Sequence, residues 1–166
     1  MRYRAFTLVL LAASVAVAAD APPLVDSADR QGGNQAAPTT TARRVIRPDR
    51  FPNTGLPYSP AILAGDTLYL SGQLGRDPVT AKLVAGGIEA ETRQALANLR
   101  EVLKAADMDF GNVVSVTAFI ASFEDFPTFN AVYREHFASD PPARATVQVA
   151  GLNLGARIEI QMIAVR

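Results

Sequence analysis

Hydrophobic and polar positions change period several times along the chain, and those changes divide it into elements. The longest regular stretch places Ile88, Thr92, Ala95, Leu96, Leu99, Val102, Leu103 and Ala106 at helical spacing through IEAETRQALANLREVLKAA. It predicts an amphipathic helix over 88–106, with acids near its start and Lys104 near its end, as the helix dipole favours. A second, shorter helix is expected in DFPTFNAVYREHF at 125–137, with Asp125 as N-cap and Pro127 in the first turn. Elsewhere the period is two. ARRVIRP at 42–48 gives a short strand stopped by Pro48, and AILAGDTLYLSGQ at 61–73 gives two strands around Gly65-Asp66, where a tight turn makes a hairpin. NVVSVTAFIAS at 112–122 reads as a strand with Val114, Val116, Ala118 and Ile120 on one face and β-branched residues throughout. RATVQVA at 144–150 and ARIEIQMIAVR at 156–166 are the last two strands, and RDPVTAKLVAGG at 76–87 is rich in turns.

The order ββ(β)αβαββ predicts an α+β domain, a mixed β-sheet with two helices packed on one face. One sheet face then has to be covered by something else. On the last strand Ile158, Ile160, Met162 and Ala164 lie on one side, with Glu159, Gln161, Ile163 and Val165 on the other, so both sides are apolar. Such a surface predicts self-association. In PARATVQVA, Arg144, Thr146 and Gln148 share one face; Ala145, Val147 and Val149 form the other, which is the expected core face. On pattern alone Arg144 is a solvated arginine at a strand end.

Composition narrows the chemistry. Among 166 residues there are 16 basic and 16 acidic side chains, a formal net charge of zero, so nothing points to nucleic acid or an anionic membrane surface as partner. Absence of cysteine excludes disulfides, thiol nucleophiles and zinc-thiolate sites, and the single histidine excludes a multi-histidine metal site. His136 is expected at the end of the second helix, partly charged against the dipole. No serine sits in G-x-S-x-G, and SGQLG lacks the GK[ST] of a phosphate loop. Asp77, Glu89 and Glu91 are expected to cap or face solvent.

At the N-terminus, Arg2 and Arg4 precede an apolar run from Ala5 through Ala19, and Ala16-Val17-Ala18 fits a small-x-small cleavage site. This predicts a signal peptide over 1–19, export to the periplasm or exterior, and no membrane association after cleavage. Residues 20–42, rich in Pro, Gly, Ser, Thr and Gln, read as a flexible linker, and the folded domain as 43–166.

PYSPAILAGDTLYLSGQLGRDPVT, GGIEAETRQALANLREVLKAA, DFPTFNAVYREHF, PPARATVQVAGL and RIEIQMIAVR, in this order, resemble the Rid (reactive intermediate deaminase, YjgF/YER057c/UK114) family. The resemblance covers the whole domain, and PARATVQVA followed by IEI is its strongest signal. It implies a chorismate-mutase-like fold assembled as a homotrimer, with sites in clefts between subunits. It also implies hydrolysis of 2-enamines and 2-imino acids, such as iminopropanoate and iminobutanoate, to 2-oxo acids and ammonia. No cofactor or metal is implied. Position by position, the family's carboxylate-binding arginine falls on Arg144, its water-handling glutamate on Glu159, its tyrosine on Tyr58, its serine on Ser71 and its pocket asparagine on Asn130. Gly72 and Thr146 join them as substrate-binding candidates. Many members carry cysteine and glutamate where Thr146 and Gln161 stand, so pocket shape is expected to differ.

The chemistry asks for the same residue types independently. A guanidinium grips a carboxylate through two parallel charge-assisted hydrogen bonds, the role for Arg144. Attack of water on an imine carbon needs a base, and the departing amine needs a proton, the two roles for Glu159. Ser71 and the Gly72 N–H would hold substrate oxygen or orient the water, and Tyr58 would close the pocket. The alternative is the same pocket binding a small carboxylate without turnover, or a holdase that needs neither residue.

Overall fold

A computed structural model describes residues 42–51 and 55–166, so the expected signal peptide and linker lie outside the described residues except for Ala42. Six strands and two helices form in the anticipated order: β1 (Arg43–Ile46), β2 (Ala61–Ala64), β3 (Thr67–Leu74), α1 (Gly87–Lys104), β4 (Val113–Ile120), α2 (Phe126–Arg134), β5 (Ala143–Gln148) and β6 (Ile158–Val165). The strands make one sheet in the order β1-β2-β3-β6-β4-β5. All neighbours are antiparallel except β4 and β5, which are parallel and joined through α2. The β2–β3 hairpin closes on Gly65-Asp66, with positive φ only at the first loop residue (Gly65, φ 60), the arrangement of a type II′ turn.

Side-chain alternation separates the sheet into a covered and an open face. Leu68 and Leu70 of β3, Val116, Ala118 and Ile120 of β4, and Ile158, Ile160, Met162 and Ala164 of β6 are buried. Against them pack Ala95, Leu96, Leu99, Val102 and Leu103 of α1, with Phe129, Val132 and Tyr133 of α2. Fully burying an aliphatic side chain of this size contributes roughly 1.5–3 kcal/mol, so this one seam supplies most of the driving force. The open face carries Tyr69, Phe119, Val147, Ile163 and Val165 beside Thr117, Glu159 and Gln161. Tyr69 is 50% exposed and Val147 41%.

Several expectations are corrected. On β4, Val113 and not Val114 joins the buried face of Val116, Ala118 and Ile120, because the register shifts between Val113 and Ser115, and Val114 is 48% exposed. On β5 the covered side is the other one: Arg144 and Thr146 pair with buried Val116 and Ala118, while Ala145 and Val147 are exposed on the open face. The inner position at this sheet edge is filled by an arginine lying flat on aromatic rings rather than by an aliphatic side chain. Asp125 stands at the N-cap of α2 but makes no side-chain cap bond, because its carboxylate is bidentate to Arg157 (2.7 and 2.8 Å). His136 follows α2 as placed, but burial and the neighbouring Arg100 lower its pKa, so the neutral imidazole is favoured. Its Nδ1 lies 3.0 Å from Arg100 Nη2 and accepts from it.

Candidate active site

Two clusters gather the candidate residues. The first is a cleft of about 380 Å³ whose walls include Tyr58, Ser71, Gly72 and Glu159. Here a sequence detail has a direct physical reason. Gly72 lies so close to the Glu159 carboxylate that a Cβ at position 72 would collide with Oε1. Only glycine lets the carboxylate rest on the β3 backbone. The start of β6 is also fixed: two residues before Glu159, the Arg157 N–H donates to the buried Glu91 carboxylate (2.8 Å) and the Arg157 carbonyl accepts from Ala121 N–H (3.0 Å). Glu91, expected to cap or face solvent, is therefore a buried brace for the strand that carries Glu159. Ser71 is committed more narrowly than expected. Its hydroxyl donates to the Ser59 carbonyl at 2.7 Å, which ties Tyr58-Ser59-Pro60 to β3 and leaves the oxygen to act as acceptor toward a water.

The second cluster surrounds Arg144. Its guanidinium carbon lies 4.4 Å from the Tyr133 ring centroid and 5.2 Å from that of Phe129, a cation–π shelf supplied by α2. Nη2 donates to Asn130 Oδ1 at 2.8 Å. Asn130 thus positions the arginine, which has no carboxylate partner among the described residues. Thr146 Oγ1 and Tyr133 Oη are buried without a hydrogen-bond partner, an unusual pairing given what an unsatisfied buried hydroxyl costs. Burial pushes the Tyr133 phenol up to about 12 against the opposing pull of Arg144, so the hydroxyl stays protonated and able to donate. Sequence reasoning did not single out Tyr133. The available signal was its spacing: Asn130 and Tyr133 are three apart on one helix and share a face.

The two clusters lie on opposite sides of the sheet. Arg144 pairs with Val116 on the covered face, whereas Glu159 pairs with Phe119 on the open face. The cleft that holds Glu159 does not include Arg144, Asn130 or Thr146. One chain therefore presents two separate clusters. Among the described residues, no His, Asp and Glu side chains group in a way that could hold a metal ion.

Among protein families, the one described as Endoribonuclease L-PSP matches residues 49–166. The chain belongs to this family, the Rid family. Over 124 residues it is 48% identical to the human 2-iminobutanoate/2-iminopropanoate deaminase, covering 75% of this chain and 90% of that protein. It is 41% identical over 126 residues to Reactive Intermediate Deaminase A, chloroplastic, of Arabidopsis thaliana, covering 76% of this chain and 67% of that protein. A conserved Rid-family protein of Yersinia pestis superposes with a TM-score of 0.72 at 38% identity, covering 75% of this chain and all (100%) of that one. The YjgF gene product of E. coli gives 0.69 at 35% identity, covering 74% and 98%.

The close approach of Gly72 to Glu159 in this Rid-family chain yields a direct test. Gly72→Ala should lower imine turnover at least about a hundredfold, the scale of losing a general base, by forcing the carboxylate off its seat. Thermal unfolding recorded in parallel should show a folded variant; undiminished turnover would mean the carboxylate position does not matter.

Proposed function

We propose that this protein hydrolyses 2-enamines and 2-imino acids to 2-oxo acids and ammonia, without a cofactor. The observation that carries the reading is the Arg144 cluster: a guanidinium fixed on an aromatic shelf, held by Asn130, flanked by two buried hydroxyls and matched by no carboxylate among the described residues. That is the donor set for a substrate carboxylate. Glu159 supplies the base. It takes a proton from water as the oxygen bonds to the imine carbon and passes it to nitrogen, giving a neutral carbinolamine; it then takes the proton of that hydroxyl and gives it to nitrogen as the carbon–oxygen double bond forms and the carbon–nitrogen bond breaks. Both water protons finish on ammonia, and an enamine enters the same path once it has tautomerised. Ser71 Oγ, whose proton already serves Ser59, accepts from the water and aims it. Tyr58, half exposed at the cleft wall, covers the substrate. The similarity to proteins named 2-iminobutanoate/2-iminopropanoate deaminase supports the same activity. A nuclease reading of the family description has less support, since a net charge of zero offers no attraction to polyanions.

The two clusters lead to the assembly. In our reading the Arg144 cluster of one copy completes the Glu159 cleft of the next, with the open sheet face as the interface. Tyr69, Val147 and Ile163 give that face its apolar surface. Because the two halves of the interface differ, the arrangement is head-to-tail and closes into a ring; family resemblance supplies the number three. We further propose export, supported by the charged-then-apolar pattern of residues 1–19. Amino-terminal sequencing of protein recovered outside the cytoplasm should then begin at or next to Ala19. Recovery only of the intact chain from the cytoplasm would rule export out.

The function is tested by generating 2-iminobutanoate with an amino-acid oxidase in the presence of semicarbazide. Purified protein is expected to suppress semicarbazone formation in proportion to its concentration. No suppression, together with saturable binding of 2-oxobutanoate, would make the protein a carboxylate-binding module instead.

A further inference from the structure

Two arginines line the Glu159 cleft, and hydrolysis of a simple imino acid has no use for them. They are Arg47, just after β1, and Arg76, just after β3. Neither guanidinium has an ion pair or hydrogen bond among the described residues. The acid next to Arg76 in sequence is engaged elsewhere. Asp77 Oδ1 accepts from the N–H of Val79 (2.9 Å), the N–H of Thr80 (2.7 Å) and the Thr80 hydroxyl (3.1 Å), closing its own turn. The Arg76 backbone, by contrast, is fixed. Its carbonyl accepts from the buried Asn98 side chain at 2.8 Å, and the residue bridges Leu83. Half-buried Arg76 thus lines the cleft from a rigid attachment point.

Charge decides what could meet it. The charged side chains of the cleft are Arg47, Arg76 and Glu159, two cations against one anion. In the proposed assembly Arg144 of a second copy adds a further cation. A monocarboxylic imino acid brings one negative charge, which Arg144 already matches. Half-buried Arg76 and exposed Arg47 then remain without an anion, and at Arg76 the partial burial makes a charge worth more than on open surface. A second carboxylate on the substrate supplies that anion with the fork geometry arginine prefers.

We infer that the natural substrates are 2-imino dicarboxylic acids, the imines formed when acidic amino acids are oxidised at the α-carbon. The 2-carboxylate lies on Arg144 and the distal carboxylate on Arg76 and Arg47, with the imine carbon between them facing Glu159. This inference rests on the hydrolase reading above and adds the substrate class to it.

The test compares 2-iminoglutarate with 2-iminobutanoate, each generated in situ by an oxidase and trapped with semicarbazide, in wild type, Arg76→Gln and Arg47→Gln. The expected result is a kcat/KM at least about tenfold higher for the dicarboxylic substrate in wild type, the ratio falling about tenfold or more in Arg76→Gln. A ratio unchanged in both variants would overturn the inference while leaving the hydrolase reading intact. Binding of 2-oxoglutarate and 2-oxobutanoate, followed by calorimetry, separates the two readings from the other side. If no imine is turned over but 2-oxoglutarate binding still weakens selectively in Arg76→Gln, the dicarboxylate site stands and the hydrolase reading falls.

Discussion

Glu159→Gln is expected to lower kcat for imine hydrolysis by roughly two to four orders of magnitude, the range for losing a positioned general base. Affinity for the 2-oxo acid product should stay within about threefold. Glutamine keeps the length and shape that rest against Gly72, so β6 and the cleft wall are preserved. What is lost is basicity: an amide cannot take the proton from the attacking water or return it to the leaving nitrogen. In the proposed mechanism the product carboxylate is held by Arg144, which lies on the other face of the sheet and is untouched by the change. A fall in kcat with binding intact therefore separates proton transfer from substrate capture. If binding falls in step with kcat, Glu159 is a binding residue and the water must be activated by another group.

The separation of those two residues explains what was legible in the sequence and what was not. Period and turn chemistry located every strand and both helices, because α1 and β6 carry their apolar residues at unambiguous spacing. Period two also says that two faces exist on β5. It does not say which is inside. That depends on register with β4, where Arg144 falls opposite Val116, and on α2, which brings Phe129 and Tyr133 over the guanidinium. Alternation read Ala145 and Val147 as core because they are apolar; they cover the open face instead. Residue types at the site were readable through the family resemblance. Tyr133, the Glu91 and Asp125 contacts to Arg157, and the placement of Arg144 and Glu159 on opposite faces were not, since each depends on positions at least 11 apart brought together by the tertiary fold.

Mixing two inactive variants gives the second large effect. Arg144→Ala and Glu159→Gln should each be nearly inactive alone, yet refolding an equal mixture from denaturant should recover about a quarter of wild-type activity. The fraction follows from the geometry. If each site takes its arginine from one copy and its glutamate from the next, a site is intact only when the first copy is the Glu159 variant and the second the Arg144 variant. Each condition holds with a chance of about one half in a random ring, whatever the number of copies. A site built within one chain predicts no recovery, because every chain in the mixture lacks one of the two groups. Opposite placement on the sheet argues against that case: Val116 marks the Arg144 face as buried under α2, and Phe119 marks the Glu159 face as open. Recovery near a quarter, absent when the variants are refolded separately and then combined on ice, would identify both the shared site and the subunit exchange needed to make it. Activity that stays at the level of the parent variants after co-refolding, with assembly confirmed by sedimentation, would place the whole site in one chain and require Arg144 to reach around the sheet edge.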